Sequence, residues 1–159
     1  MIRRTILTST IAVFSLTFLG QAAHAADSTI AGTWELNVPA SKTTGQMPKS
    51  GTRTYTVDGN TEKMNATIVM ADGKTLQEGF TAATDGKEYP FQSQTMGVIM
   101  IAITKIDDRT NNFVLKKDGK DVVTGTRTIA PDGKTMTIAS KGINAEGKPV
   151  EATMLYDRK

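Results

Sequence analysis

The sequence predicts an all-β domain, an antiparallel up-and-down meander of 8–10 strands closed into a barrel. One turn motif recurs along the chain, as "DGN" at 58–60, "DGK" at 72–74, 85–87, 118–120 and 132–134, and "EGK" at 146–148. Asp-Gly favours the tight hairpin turns whose backbone needs positive φ. Between these turns lie alternating stretches rich in Thr, Val, Ile and Met, which have the period of strands and not of helices. The short turns leave no room for a crossover helix, so neighbours in sequence are expected to pair as antiparallel neighbours in space. A meander this long must curl, and closing it removes the exposed edges that would otherwise aggregate. A two-sheet sandwich is the alternative that this turn pattern disfavours.

The strands are expected at approximately 32–38, 52–57, 62–71, 75–84, 87–92, 97–106, 112–117, 121–130, 135–143 and 150–158. Alternation sorts each into two faces. The first strand, opening "GTWELN", sets Trp34, Leu36 and Val38 on one face; the second sets Tyr55 and Val57; the third Met64, Ala66, Ile68 and Met70. Leu76, Phe80 and Ala82 follow. The "YP" at 89–90 places a proline in a strand pattern, which implies an edge, a bulge or a corner. In the central "VIMIAI" both faces are apolar, so either Ile99, Ile101 and Ile103 or Val98, Met100 and Ala102 point inward, and the outer face is open to being covered as well. "DDRTNN" at 107–112 reads as a polar turn. Phe113 and Leu115, Val123 and Ile129, Met136 and Ile138, and Met154 and Tyr156 complete the inner set. One connection stands apart: "PASKTTGQMPKSG", residues 39–51, is long and rich in Pro, Gly and Ser, and reads either as a surface loop or as a flap over one mouth of the barrel.

The first 25 residues are of another kind. Arg3 and Arg4 precede the apolar run "ILTSTIAVFSLTFLG", which ends near the small-residue triplet Ala23-His24-Ala25. This is the pattern of a secretory signal peptide cleaved after Ala25, with residues 26–159 as a single β-barrel domain and a periplasmic or secreted destination. The apolar run falls short of the roughly 20 residues that span a bilayer, so no membrane anchor is expected. Cleavage would leave 17 basic and 16 acidic residues. That balance leaves no concentrated basic patch for nucleic acid.

The chain has no cysteine, and its single histidine, His24, lies in the leader. A cleaved protein would therefore lack the residue types most used for nucleophilic and acid–base catalysis and for zinc. The aspartates at 58, 72, 85, 118 and 132 are accounted for by turn chemistry. Glu78 with Tyr55 or Tyr156 is the one acid–base combination the inner faces offer, and no spacing supports it. No enzyme, cofactor or metal site is expected.

Two features of the inner faces bear on function. They are rich in methionine and in small or medium residues, so a barrel of this size can be incompletely filled and hold one small apolar molecule. The candidate ligand contacts are Met47, Tyr55, Met64, Met70, Phe80, Met100, Met136 and Met154; the competing reading, which is the commoner role of methionine, is that these side chains fill gaps in a packed core. Charged residues also occur at inward parity: Arg53 beside Tyr55, Arg127 between Val123 and Ile129, Glu78 between Leu76 and Phe80, and Arg158 beyond Tyr156. Arg53 and Arg127 are candidates for an anionic head group. The competing readings are internal Arg–Glu and Arg–Tyr networks, or side chains near strand ends that reach water.

A Gly-x-Trp at the start of the first strand of a meander of this length, here Gly32 and Trp34, resembles the lipocalin and wider calycin families. The resemblance implies that Trp34 closes one end of the barrel and that a basic residue of a late strand lies across it, Arg158 first and Arg127 second. The mature chain is also similar to a group of exported bacterial proteins that begin "GTW-x-LN" followed by "SK", here "GTWELNVPASK", and that end in a pattern matching "GKTMTIASKGINAEGKPV" and a Tyr-containing strand. It implies a lipocalin-like barrel and a bacterial periplasmic setting, and no activity. The reading that follows is a periplasmic protein binding a small hydrophobic or amphipathic ligand inside the barrel. The alternative is a protein-binding module with a filled barrel, an inhibitor of a secreted enzyme or an envelope stress factor, for an unspecified protein partner.

Overall fold

The computed structural model describes residues 30–144 and 146–159, so the expected leader at 1–25 lies outside the described residues. Eleven strands follow in chain order: β1 (Gly32–Leu36), β2 (Lys42–Thr43), β3 (Ser50–Asp58), β4 (Thr61–Val69), β5 (Thr75–Ala83), β6 (Asp85–Ser93), β7 (Gly97–Lys105), β8 (Thr110–Lys117), β9 (Lys120–Ile129), β10 (Thr135–Ile143) and β11 (Pro149–Arg158). From β3 to β11 each pairs antiparallel with its neighbour in sequence, and β1 pairs with both β3 and β11. This is the expected meander, closed as a ten-stranded barrel. The turns behave as their chemistry dictates. Gly73 takes φ 85° while the Asp72 carboxylate accepts the Lys74 N–H at 3.0 Å, and Asp132 does the same for Lys134 at 3.0 Å.

The eleventh strand is β2, which the sequence pattern did not signal. A 3-10 turn at Val38–Ala40 follows β1, with the Asn37 side chain accepting from the Ala40 N–H, and Lys42 and Thr43 then pair with Thr153 and Ala152 of β11. The backbone N–H groups of Thr44 and Lys49 go to the carbonyls of Glu151 and Val69 at 2.9 and 2.7 Å. Residues 39–51, expected as one loop, are thus tied to the wall at both sides of the mouth.

The proline of β6 marks a weak seam. β5 and β6 pair in register only from Glu78 to Phe80 against Ser93 to Phe91, stopping one residue short of Pro90, which has no N–H to offer. A register shift between Asp85 and Glu88 lies on the other edge of β6, against β7.

On β7 the two apolar faces are resolved. Ile99, Ile101 and Ile103 point inward at 1–4 % exposure, while on the outer face Val98 is 73 % exposed and Met100 and Ala102 are half-buried. Val57 has inward parity and is nonetheless 42 % exposed, because β3 there runs past the barrel floor toward its turn at Gly59.

The meander places two ends in opposition. At the floor lie the start of β1, the end of β11 and the β3–β4, β5–β6, β7–β8 and β9–β10 turns; the other turns and residues 37–49 form the mouth. Trp34 is fully buried at the floor, and its Nε1–H donates to the Ile30 carbonyl at 2.8 Å. The Arg158 guanidinium carbon stands 4.2 Å from the centre of the indole. Arg158 is itself held by the carbonyls of Gly133 and Ala31, at 2.7 and 2.6 Å. Gly32 sits at φ 128°, and a Cβ there would come within 2.9 Å of Arg158 Nη1. The positive φ demands glycine, and a Cβ would also displace the guanidinium that covers the indole.

Trp34→Ala is expected to lose about 3–5 kcal/mol of stability, the usual cost of emptying a large buried aromatic site, measurable as a shift in the urea midpoint. Because Trp34 lies outside the interior cavity lining, ligand affinity of the folded fraction should change little.

Candidate functional site

Above the floor the barrel is hollow. An interior cavity of about 260 Å³ is walled by apolar side chains including Leu36, Phe80, Phe91, Ile101, Leu115 and Met154. Its emptiness follows from composition: the inner positions of β10 and β11 beside it are Ile138, Ser140, Ala152 and Met154, which do not reach across to the isoleucines of β7. Phe80 and Phe91 stack with centroids 6.0 Å apart at the last registered pair of the β5–β6 seam.

Into this apolar space the register brings two arginines, from β3 and β9, and their surroundings differ. Arg127 is 7 % exposed, and its Nη2 lies 2.7 Å from both carboxylate oxygens of Glu62 on β4. Asn111 of β8 donates to the same Glu62 at 3.1 Å, and the Arg127 guanidinium stands 5.2 Å from the centre of the Tyr55 ring. Arg127 and Asn111 line the interior cavity and also a separate cleft of about 270 Å³ at the floor, which Glu62 borders too. The cluster is therefore a partition between the two spaces, with Arg127 already neutralised.

Arg53 is held more loosely. Its Nε donates to the Tyr156 hydroxyl at 3.0 Å, its guanidinium stands 5.5 Å from the centre of that ring, and Nη2 is 3.6 Å from Glu78 Oε2. Burial works against the Arg53 charge, but Tyr156, Tyr55 and Glu78 outweigh it and the guanidinium pKa is raised above its ordinary value. Arg53 accordingly carries its charge throughout the working range of pH. Among the described residues every buried side-chain polar atom has a partner, so the interior is polar only where it is paired or faces the cavity.

The residues singled out from the sequence fall into three places. Tyr55, Met64, Phe80, Met154, Arg53 and Arg127 all line the cavity. Gly32, Trp34 and Arg158 form the floor, and it is Arg158, not Arg127, that covers the indole. Four of the candidate methionines do not line the cavity. Met136 is fully buried in the core outside the lining, Met100 stands on the outer face opposite Ile99 and Ile101, Met70 sits at the turn after β4, and Met47 lies in the half-buried segment before β3. Parity explains Met100, since the two faces of "VIMIAI" look alike in sequence, and only the register with β6 and β8 separates them.

Glu62 and Asn111 were not anticipated. Glu62 has the same inward parity as Met64 and Ala66, so the rule that picked out Glu78 would also have picked it out. Asn111 belongs to "DDRTNN", whose last three residues enter β8 instead of remaining in the turn. Pro48 of the 39–51 segment also lines the cavity. Among the described residues no three His, Cys, Asp or Glu side chains converge as metal ligands would.

No protein-family model matches the sequence, and no curated protein matches it. Solved structures do resemble it. A fatty acid binding protein of Schistosoma mansoni in complex with arachidonic acid aligns with a TM-score of 0.57 at 15 % identity, over 85 % of this chain and 98 % of that one. A zebrafish ileal bile acid-binding protein complexed with cholic acid aligns with a TM-score of 0.48 at 11 % identity, over 81 % of this chain and 98 % of that one. At 15 % identity the first likeness is one of fold alone, a closed antiparallel lipocalin-like β-barrel.

The partition at Arg127 makes a quantitative expectation. Glu62→Gln or Arg127→Met alone should lose about 3–5 kcal/mol in denaturant unfolding, because each strands a buried charge, whereas Glu62→Met with Arg127→Met should recover most of the loss. A double variant as unstable as the worse single one would contradict a desolvated pair.

Proposed function

We propose that the protein is a non-enzymatic periplasmic carrier or sensor that holds one small apolar or amphipathic molecule inside its barrel. The observation that carries this reading is the largely apolar interior cavity, into which Arg53, Tyr156 and Glu78 present a loosely held polar cluster. Ligand sites have this composition: hydrophobic walls with few, placed polar groups. The Schistosoma protein of similar fold is a fatty acid binding protein, which favours the same use of the interior here. The cavity, about 260 Å³, is small for a ligand site. The molecule is accordingly compact, with a tail against Phe80, Phe91 and Ile101 and a head toward Arg53.

Access is proposed at the mouth, where Gly45 and Gln46 of the 39–51 segment share a cleft with Thr95 and Met96 of the β6–β7 turn. The periplasmic assignment rests on the leader pattern of Arg3, Arg4, the apolar run and Ala23-His24-Ala25. A barrel acting only through its loops would want a filled interior, and the cavity weighs against that alternative.

A neutral fluorescent probe, N-phenyl-1-naphthylamine, should bind saturably at about one molecule per chain, and Ala152→Phe, which fills the cavity wall, should abolish this while Val98→Phe on the outer wall should not. The readout is the probe's own emission, since Trp34 stands outside the lining. No saturable binding of this probe or of a panel of fatty acids, isoprenoids, quinones and aromatics would sink the carrier reading.

A further inference from the structure

The charges facing the interior come as two balanced pairs, and the pairs differ in how far they are committed. Arg127 and Glu62 are closed on each other at 2.7 Å with side chains 8 % and 6 % exposed, whereas Arg53 and Glu78 stand 3.6 Å apart with side chains 18 % and 17 % exposed. Both members of the looser pair line the cavity. The sum of the four charges is zero.

A carboxylate head docked on Arg53 would place a second negative charge beside the Glu78 carboxylate in a partly desolvated site. Two like charges that close disfavour each other's ionised form. Among the described residues that line the cavity the other cation, Arg127, already serves Glu62 and does not offset the added charge. A head with a donor and an acceptor but no net charge meets no such penalty. Its acceptor can take an N–H of Arg53 or the O–H of Tyr156, and its donor can go to Glu78, so that every group is served and the interior stays neutral.

Resting on the carrier reading of the same cavity, we infer that the ligand is an amphiphile with an uncharged donor-plus-acceptor head, such as a hydroxyl or a primary amide, and that Glu78 is the residue that selects it over a carboxylate. Glu78 acts here as a specificity filter: it leaves Arg53 free to orient a head group and denies it to an anion.

The test compares octanol, octanamide and octanoate, at a pH where octanoate is ionised, on the wild-type chain and on Glu78→Gln. The wild type should bind octanol and octanamide more tightly than octanoate. Glu78→Gln should tighten octanoate by about tenfold or more, the scale for removing one close like charge, and weaken or leave unchanged the two neutral ligands. The double variant Arg53→Gln with Glu78→Gln should lose the gain for octanoate. Wild-type preference for octanoate, or no tightening in Glu78→Gln, would overturn the selection by Glu78 while leaving the carrier reading intact. Failure of all three ligands, together with N-phenyl-1-naphthylamine, to bind the wild type would overturn the carrier reading itself. If Glu78→Gln does not fold, the wild-type ranking of the three ligands decides the matter.

Discussion

Everything in this barrel depends on one short strand being shared by two neighbours. β1 has five residues, and within them Trp34 stands in register with Arg53 of β3 on one side and Arg158 of β11 on the other. Without that double pairing the sheet would be open, with two long unpaired edges and an apolar face in water. The indole buried at the centre of the closure, with Arg158 across it, converts a weak backbone seam into a packed floor. The cavity exists because the floor is closed.

The same register fixes the chemistry of the interior. An arginine adjacent to Trp34 on β3 is carried into the hollow half of the barrel, and Tyr156, two residues before Arg158 on β11, is carried to its side. One loosely paired cation is thus presented to the cavity while Arg127, nine-tenths buried, is spent on Glu62 and closes the interior toward the floor. Two arginines of similar standing in the sequence end up with unlike roles, one facing the hollow and one structural.

Much of the fold was legible because Asp-Gly turns and strict alternation speak about local geometry, and an antiparallel meander is built from local geometry alone. The role of Trp34 with a late-strand cation across it was legible through the Gly-x-Trp resemblance, and closure pointed to Arg158, because a closed meander must bring its last strand beside its first. The cavity lining was legible only in part. Parity found Tyr55, Met64, Phe80 and Met154, but it is blind where both faces are apolar, as at Met100, and it cannot say how deep a residue sits, as at Met136. β2 was hidden because two residues are too few to show a period, and its pairing is dictated by the free upper edge of β11. Glu62 was overlooked although its inward parity was plain, and Asn111 was masked by a polar run that straddles a strand boundary.

The closure also has a consequence in time. Residues 34 and 158 lie at opposite ends of the folded chain, so the β1–β11 pairing, with the short β2–β11 pairing beside it, carries the largest loop-closure entropy in the molecule, while from β3 to β11 each strand pairs with its neighbour in sequence. On loop-closure entropy alone the hairpins are expected to form before this last seam. Until the final strand reaches the first there is no enclosed space. Any molecule that occupied only the finished barrel would therefore pull the chain toward completion by mass action, and so contribute to the assembly of the space that holds it.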